Sequence, residues 1–336
     1  MQHHAVALTA LAIVVVVVVS VWLSLCDSPG AAVTSVGTFE RVGRAEPLLS
    51  QGRVRTVQRV RVATYNAMLL PAPAASNAEQ RARRIGMELG GAVRSGFLDV
   101  VALQEVVEPS AVAALLEEAR FPWCAAPLVK GMMRMNGGVM LAARTPPFLV
   151  RHYVFRTCDD YAWDSLIAKG VVHAAWHGPH GDIHVYATHV QSSLSQQDVR
   201  EQQIAEMRAW IDAHEYGPDD VVLLAGDFNL ALDDELQRSV LGVADTVWAL
   251  PDTGKHSRKT WDTWTDDGPL DLLDGVLVHA RHRGACDARS RVLRVAKQSD
   301  HNAVMTTLTF EDATSRTPPS RGSARAPPSA PLASGT

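Results

Sequence analysis

Short runs of valine, leucine and alanine recur along the chain, with polar residues between them. Runs of this length and composition are typical of β-strands. They are residues 60–63, 100–103, 138–142, 171–175, 183–187, 221–224, 276–278 and 304–308. Apolar residues return at helical spacing in three intervening segments, residues 78–93, 110–119 and 197–214. Because nothing repeats at a fixed period, the pattern predicts one mixed α/β domain over residues 58–310.

Both ends of the chain depart from this pattern. Residues 5–25 form an uncharged apolar run about long enough to cross a bilayer, which predicts a signal peptide or a transmembrane anchor within residues 1–26. Residues 27–57 have no sustained period and are predicted to be a linker. Residues 311–336 are rich in Pro, Ser, Ala and Arg, which predicts a disordered tail. We therefore expect a domain outside the cytoplasm, either secreted or membrane-anchored.

Composition and charge narrow the classes of function. With 336 residues, 47% of them hydrophobic, the chain can bury a large core. A net charge of -4 argues against nucleic-acid binding through a broad basic face, although a local basic groove remains compatible with it. The four cysteines lack the paired short spacings of zinc fingers. A disulfide between Cys124 and Cys158 and buried free thiols remain alternatives.

Polar residues capable of chemistry stand where three predicted strands end. Glu105 closely follows residues 100–103, and His189 follows residues 183–187. The segment Gly226-Asp227-Phe228-Asn229 comes after residues 221–224. Taken singly, Glu105 could cap a helix, His189 could be a partly buried histidine, and Gly226-Asp227-Phe228-Asn229 could be a tight turn. Strand ends hold side chains rigidly yet open to solvent, so their joint occurrence indicates a site.

Oxygen donors in this set indicate a hard metal ion. Glu105, the side-chain oxygen of Asn66 and Asp300 offer the ligands that Mg²⁺ prefers. A bound metal would neutralise charge growing on a phosphoryl group while an activated water attacks in line with the leaving oxygen. The residues therefore predict phosphoryl transfer with Mg²⁺ as cofactor and with Mn²⁺ or Co²⁺ as substitutes.

Seven motifs, taken in order, resemble those of the endonuclease/exonuclease/phosphatase superfamily. They are Tyr65-Asn66, Leu103-Gln104-Glu105, Gly137-Gly138-Val139, Thr188-His189, Gly226-Asp227-Phe228-Asn229, Leu273-Asp274-Gly275-Val276 and Ser299-Asp300-His301. The resemblance spans nearly the whole domain. It implies a metal-dependent phosphodiesterase with a four-layer α/β/β/α sandwich, in which two packed mixed β-sheets are flanked by helices. It also implies that Glu105 is the principal metal ligand, assisted by Asn66.

The same resemblance implies roles for the remaining motif residues. His301 would be the general base that takes a proton from water, and Asp274 would hold its ring in the required tautomer. Asp227 and Asn229 would position the water and a phosphoryl oxygen. His189 would bind the phosphate or assist the leaving group. The division of acid and base between the two histidines stays open.

Other features are similar to the neutral sphingomyelinase branch. They are Lys169-Gly170, Thr188-His189-Val190-Gln191, Thr260-Trp261-Asp262, and Arg200, Gln203 and Glu206. This similarity implies hydrolysis of a choline phospholipid to phosphocholine at a membrane surface. Lys169 would bind the phosphate with Asn229 and His189, although a solvated edge charge is the alternative for Lys169. Trp261 and Trp264 could line a choline pocket through cation–π contacts or could belong to the core.

The alternative to a sphingomyelinase-like enzyme is a deoxyribonuclease of the pancreatic type. Only this alternative implies a nucleic-acid partner. No protein partner is predicted. Leu230-Ala231 disfavours an inositol polyphosphate phosphatase, which carries an arginine after this motif. Residues 279–298 lack the aromatic hairpin of secreted bacterial sphingomyelinases. The arginines of this segment would face anionic headgroups, or a DNA backbone under the alternative; they are Arg281, Arg283, Arg289, Arg291 and Arg294.

Overall fold

A computed structural model describes the domain over residues 58–125, 127, 135–158, 167–192, 194–232, 241, 248–249, 260, 272–283, 286–293 and 298–310. The predicted signal or anchor segment, the linker and the tail lie outside these residues. Among the helices of the described part, none is long and apolar enough to cross a membrane.

The described elements alternate between strands and helices. In chain order they are β1 (Gln58–Leu69), α1 (Ala78–Arg94), β2 (Val100–Val106), α2 (Pro109–Ala119), β3 (Trp123–Ala125), β4 (Met140–Ala143), β5 (Leu149–Val154), β6 (Gly170–His177), β7 (Asp182–His189), a 3₁₀ turn (Leu194–Gln196), α3 (Gln197–Asp212), β8 (Val221–Asp227), β9 (Trp248–Ala249), β10 (Asp274–Arg283), β11 (Cys286–Leu293) and β12 (Ala303–Phe310). Each predicted strand and helix is confirmed, whereas β3, β5, β9 and β11 were not predicted.

Two mixed sheets form the centre of the domain. The first sheet has the order β11-β12-β1-β2-β4-β3, and the second has the order β5-β6-β7-β8-β10-β9. The pairs β1–β2 and β7–β8 are parallel, and the other pairs are antiparallel. Parallel neighbours end at the same sheet edge. Side chains that follow β1 and β2, or β7 and β8, are therefore brought together in pairs.

Three apolar clusters give the sandwich its four layers. Between the sheets, Val62 and Val100 of the first share a buried cluster with Val185 and Val276 of the second. Helices α1 and α2 cover the outer face of the first sheet through a second cluster, and α3 covers the second sheet through a third. Burying apolar side chains on both faces of each sheet is the main driving force for this arrangement. The predicted α/β/β/α sandwich is thus confirmed.

No disulfide joins the cysteines of the described residues. Cys124, Cys158 and Cys286 are half-buried thiols. Cys124 lies in β3 of the first sheet, whereas Cys158 follows β5 of the second sheet. Of the two alternatives left by the sequence, the thiol form is observed and the Cys124–Cys158 disulfide is not. Burial raises the pKa of the Cys124 thiol.

Candidate active site

Asn66 joins the two sheets at the edge where the predicted residues gather. Its Nδ2 donates to Glu105 Oε1 at 3.0 Å and to Asp227 Oδ2 at 2.9 Å. Glu105 belongs to β2 of the first sheet and Asp227 to β8 of the second. Two carboxylates held by one amide nitrogen lie close together, and divalent cations favour such oxygen pairs.

The orientation of the Asn66 amide changes its expected role. Its Oδ1 accepts a hydrogen bond from the backbone N–H of Met68 at 3.1 Å, so the NH₂ group faces the site. Ligation of a metal through the oxygen would require the amide to turn over. The geometry suits a residue that positions Glu105, and direct ligation by Asn66 stays a prediction.

Backbone strain accompanies the site residues. Glu105 has φ 56° and Asn229 has φ 48°, in the left-handed region that non-glycine residues seldom adopt. Gly138 packs behind Glu105, and a Cβ at Gly138 would lie 3.3 Å from Glu105 Cα and 2.9 Å from Val107 Cγ2. The Gly137-Gly138 motif thus makes room for the strained turn that aims Glu105. Strain of this kind is typical of functional positions.

Burial dominates the electrostatics of Glu105. Desolvation raises the pKa of Glu105 to about 7, with the negative charge of Asp227 adding to the effect. The hydrogen bond from Asn66 and the charges of His301 and Lys169 oppose the increase. A buried carboxylate beside a second carboxylate is stabilised by a cation, so the local chemistry fits a metal ligand.

His301 and Asp274 form the predicted pair. The Nδ1 atom of His301 lies 2.7 Å from Asp274 Oδ2, and its Nε2 lies 3.7 Å from Asp227 Oδ2. Burial alone would lower the pKa of His301, but the charges of Asp274 and Asp227 outweigh it and raise the pKa to about 10. Burial raises the pKa of Asp274 to about 6 despite the charge of His301. The pair holds the imidazole with Nε2 directed toward the centre of the site.

Asp227 is fixed from several sides. Its Oδ1 accepts from the backbone N–H of Asn229 at 2.9 Å, and its Oδ2 accepts from Asn66. Burial tends to raise its pKa, but His301 and His189 outweigh burial and the net pKa is lowered. Asp227, Asp274 and His301 place ligand atoms within 4.8 Å of one another. Asp227 is therefore held as an anion next to the proposed base.

Lys169 lies inside the site. It is 4% exposed, its Nζ donates to the backbone oxygen of Val190 at 2.9 Å, and the same atom lies 3.4 Å from His189 Nε2. The Nε2 of His189 is also 3.8 Å from Asp227 Oδ2 and 3.9 Å from Glu105 Oε1. The alternative of a solvated edge charge for Lys169 is wrong, because its strand start is covered. The side-chain amide of Asn229 donates to the same Val190 oxygen at 3.2 Å.

Asp300 has contacts with Ser299 and Arg81. Asp300 accepts a hydrogen bond from Ser299 Oγ at 3.3 Å and interacts electrostatically with Arg81. Arg81 is buried, and its guanidinium donates to the backbone oxygens of Met68 and Gln298 at 2.5 and 2.7 Å. It ties the end of β1 to the loop that carries His301. The metal role of Asp300 stays a prediction.

Thr260 supports the His301–Asp274 pair in a way that the sequence did not show. Its Oγ1 accepts from the backbone N–H groups of Leu273 and Asp274 at 2.9 and 3.0 Å. Its carbonyl accepts from the backbone N–H of Asn302 at 2.6 Å. Thr260 therefore positions both members of the pair. Trp261, Asp262 and Trp264 fall outside the described residues.

Three residues of α3 hold the loops next to the site. Arg200 donates to the backbone oxygen of Gln191 at 2.9 Å, and Gln203 Oε1 accepts from the Gln191 backbone N–H at 2.9 Å. Glu206 accepts from Tyr153 Oη at 2.8 Å. These contacts fix the chain that follows His189 and the end of β5. Their role is structural support.

The described arginines of residues 279–298 are spread over two sheets, and the side chains of Arg283 and Arg294 lie outside the described part of the chain. Strand β10 begins at Asp274, opposite Asp227, and ends at Arg283, opposite Val221. Exposed Arg281 therefore lies roughly 15–20 Å from Asp274, given the rise of a β-strand and the bulge between Val278 and Arg283. Arg291 lies on the edge strand β11, 5.5 Å above the Phe97 ring. The chain passes from the second sheet to the first between β10 and β11, and the contact of these arginines with anionic headgroups stays a prediction.

Comparisons with known proteins agree with this geometry. A family model described as "Endonuclease/Exonuclease/phosphatase family" matches residues 63–301. Comparison with curated proteins gives no match. Sphingomyelinase C from Streptomyces griseocarneus is 22% identical over 76% of this chain and 100% of its own, with a TM-score of 0.62. A mutant beta toxin from Staphylococcus aureus with bound magnesium ions is 19% identical over 74% and 99%, with a TM-score of 0.63. Truncated Caenorhabditis elegans TDP2 is 17% identical over 75% and 97%, with a TM-score of 0.55. At these identities the structures demonstrate a shared fold.

Proposed function

The chain belongs to the endonuclease/exonuclease/phosphatase family of metal-dependent phosphoesterases, and from this premise we propose that it hydrolyses a choline phospholipid to phosphocholine, as a sphingomyelinase does. The proposal treats the Asn66–Glu105–Asp227 cluster as the metal-binding side of the site and His301 as its proton acceptor. Residues 5–25 would direct the domain out of the cytoplasm. As an uncleaved anchor they would tether it to a membrane surface, and as a signal peptide they would be removed after export.

Glu105 is the residue that would hold Mg²⁺, with Asn66 positioning it. When bound, Mg²⁺ neutralises charge on a phosphoryl oxygen and favours the neutral form of the nearby imidazole. His301 then takes a proton from water at Nε2. Its Nδ1 keeps its own proton, which it donates to Asp274 in a hydrogen bond. Asp227 and Asn229 orient the water and a phosphoryl oxygen.

His189 and Lys169 provide the positive side of the pocket. Lys169 Nζ and His189 Nε2 are 3.4 Å apart, and both side chains are buried at the site. Buried donors of this kind form charge-assisted hydrogen bonds to a phosphate that are stronger than those formed in water. This buried cation is the observation that carries the proposal of a sphingomyelinase-like substrate. The name of the Streptomyces griseocarneus relative supports the same choice.

Product analysis with the full-length protein tests the proposal. The protein is incubated with Mg²⁺, or with EDTA, and separately with sphingomyelin vesicles, lysophospholipid and plasmid DNA. We expect Mg²⁺-dependent release of phosphocholine. We expect His301→Ala to lower the rate about 1000-fold, within the range for loss of a general base, and Lys169→Met to lower it about 100-fold.

Exposed His152 of β5 provides the matched control, because His152→Gln changes a surface histidine for which the described residues show no contact with the site residues. This variant should keep the wild-type rate, and circular dichroism should show that every variant is folded. Nicked DNA without phosphocholine would replace the lipid proposal with the deoxyribonuclease-like alternative. Undiminished hydrolysis by His301→Ala would overturn the assigned base.

A further inference from the structure

A second group of metal-ligand side chains lies at the opposite end of the second sheet. Asp182 begins β7, whereas His189 ends it, so the two ends are separated by roughly 20–25 Å. Asp182, His184 and Asp220 each place one ligand atom within 4.8 Å of the other two. Asp220 immediately precedes β8, the parallel neighbour of β7. This Asp182–His184–Asp220 cluster is therefore distinct from the phosphodiesterase site.

His184 directs an unsatisfied ring nitrogen into the cluster. It is 7% exposed, and within the described part of the chain its Nε2 has no hydrogen-bond partner. The Nε2 lies 3.6 Å from Asp220 Oδ2, which is too long for a hydrogen bond. Two ligands at about 2.1 Å from a tetrahedral zinc ion are separated by about 3.4 Å. The observed spacing thus suits a shared metal ion better than a direct contact.

The other ring nitrogen of His184 is held by a neighbouring side chain. His184 Nδ1 lies 3.1 Å from His173 Nε2. The His173 ring is buried and stacked on Tyr186 with centroids 4.1 Å apart. A histidine ligand usually hydrogen-bonds through its second nitrogen, which fixes the ring and its tautomer. Burial lowers the pKa of His184, which favours the neutral form needed for ligation.

Both carboxylates are fixed in place and retain lone pairs. Asp220 Oδ1 accepts from the backbone N–H of Asp182 at 2.8 Å, and Oδ2 accepts from that of Gly217 at 2.6 Å. Asp182 Oδ1 lies 2.9 Å from His177 Nδ1, so His177 can orient it from outside. The Asp182 side chain is 36% exposed, which gives an ion access from solvent and room for a water ligand.

We propose that Asp182, His184 and Asp220 bind a divalent transition-metal ion such as Zn²⁺, with the fourth position taken by water. One imidazole and two carboxylates form a ligand set that suits zinc. The ion would join the start of β7 to the loop before β8. It would thereby replace the long His184–Asp220 contact with two coordinate bonds.

Zinc counting on the full-length chain tests this proposal. The protein is stripped with EDTA, titrated with Zn²⁺, desalted and measured by mass spectrometry for metal content. Because Asp227, Asp274 and His301 could still hold zinc in a Glu105→Gln variant, the background is Glu105→Gln combined with His301→Ala, which removes ligands from both parts of the phosphodiesterase site. We expect this background variant to retain one tightly bound zinc ion per chain. Adding Asp182→Asn should weaken the zinc affinity about 100-fold or more, which exceeds the loss expected when a residue that only supports a ligand is changed.

His184→Gln should have the same effect. Because His184 is buried, its substitution could also impair folding, so the change at partly exposed Asp182 is the decisive one. His180→Gln, in the same β6–β7 turn, is the matched control and should bind zinc as its parent does. X-ray absorption at the zinc edge should show one imidazole with oxygen ligands. Equal zinc affinity with and without Asp182→Asn, or a site with several imidazoles, would overturn the proposal. Hydrolysis by Asp182→Asn alone should stay at the wild-type level.

Discussion

At Glu105, burial and charge oppose each other. Desolvation raises the pKa of this carboxyl from 4.5 to about 7. The folded state therefore binds a proton more tightly than the unfolded state between these two pH values. Above pH 7 the carboxylate is charged in both states, and its burial reduces the free energy of unfolding. This cost shrinks as pH falls through 7 and is small near pH 4.5.

Replacement of Glu105 by Gln should therefore stabilise the metal-free protein at alkaline pH. In EDTA at pH 8 we expect Glu105→Gln to raise the free energy of unfolding by about 2 kcal/mol, after allowance for residual exposure. The gain should decline as the pH is lowered toward 4.5. Added Mg²⁺ should stabilise the wild type and leave the variant unchanged. Urea unfolding at several pH values measures each effect, and equal stabilities at pH 8 would contradict this account.

The residues proposed to do chemistry were easier to predict than those that hold them. Glu105, His189 and Asp227 come at the ends of predicted strands, His301 belongs to a Ser-Asp-His motif, and the structure brings the four together. Arg81 gave no such signal. It acts on the carbonyl of Gln298, 217 positions away in the chain, and only the fold reveals that contact. Sequence pattern reports local periodicity, so contacts between distant loops remain hidden from it.

At the scale of elements, the turn before β4 supports β2 from behind. Gly138 has φ 66°, and its carbonyl accepts from the backbone N–H of Val106 at 2.9 Å. A Cβ at this position would meet Val107 Cγ2 at 2.9 Å. Gly138→Ala should lower the free energy of unfolding by about 2 kcal/mol, from unfavourable φ and crowding together. Hydrolysis should also fall, because the added Cβ would lie 3.3 Å from Glu105 Cα and would displace this residue.

Gly91 of α1 offers the opposite case in the same chain. A Cβ at Gly91 would meet no atom within 4 Å among those described. Gly91→Ala should therefore raise the free energy of unfolding by about 0.5–1 kcal/mol, because alanine favours the helix. Thermal unfolding and hydrolysis assays on both variants measure the contrast. Similar behaviour of the two substitutions would show that neither strain nor crowding matters at Gly138.

Edge strands account for much of what the sequence pattern missed. Buried strands β1, β2 and β8 read as continuous apolar runs and were predicted. Strand β11 lies at the edge of the first sheet, and its exposed positions carry Asp287, Arg289 and Arg291. Charged residues at a sheet edge protect against further strand pairing, and they also remove the apolar signal of a strand. The strand becomes recognisable only through its pairing with β12.

At the scale of the whole molecule, the site and Arg281 occupy opposite ends of the second sheet. Arg281 is exposed near the end of β10, whereas Asp274 begins it. Charges separated by roughly 15–20 Å are largely screened at physiological salt, where the Debye length is about 8 Å. We therefore expect Arg281→Glu to leave phospholipid hydrolysis within about twofold of wild type. Rates on anionic vesicles measure this effect, and a tenfold loss would place the substrate-facing surface at that end.

The site lies across both sheets, so its ligand should stabilise them together. Glu105 and Asn66 come from the first sheet and Asp227 from the second, joined by Asn66 hydrogen bonds of 3.0 and 2.9 Å. Mg²⁺ at 100 times its dissociation constant should add about 2.7 kcal/mol to the free energy of unfolding. Backbone amides that exchange only through global unfolding should therefore exchange about 100-fold more slowly when Mg²⁺ is bound. We expect this slowing in both β1 and β8. Glu105→Gln should abolish the slowing in both strands. Protection confined to β1 and β2 would show that the metal is held by the first sheet alone and that the sheets open separately.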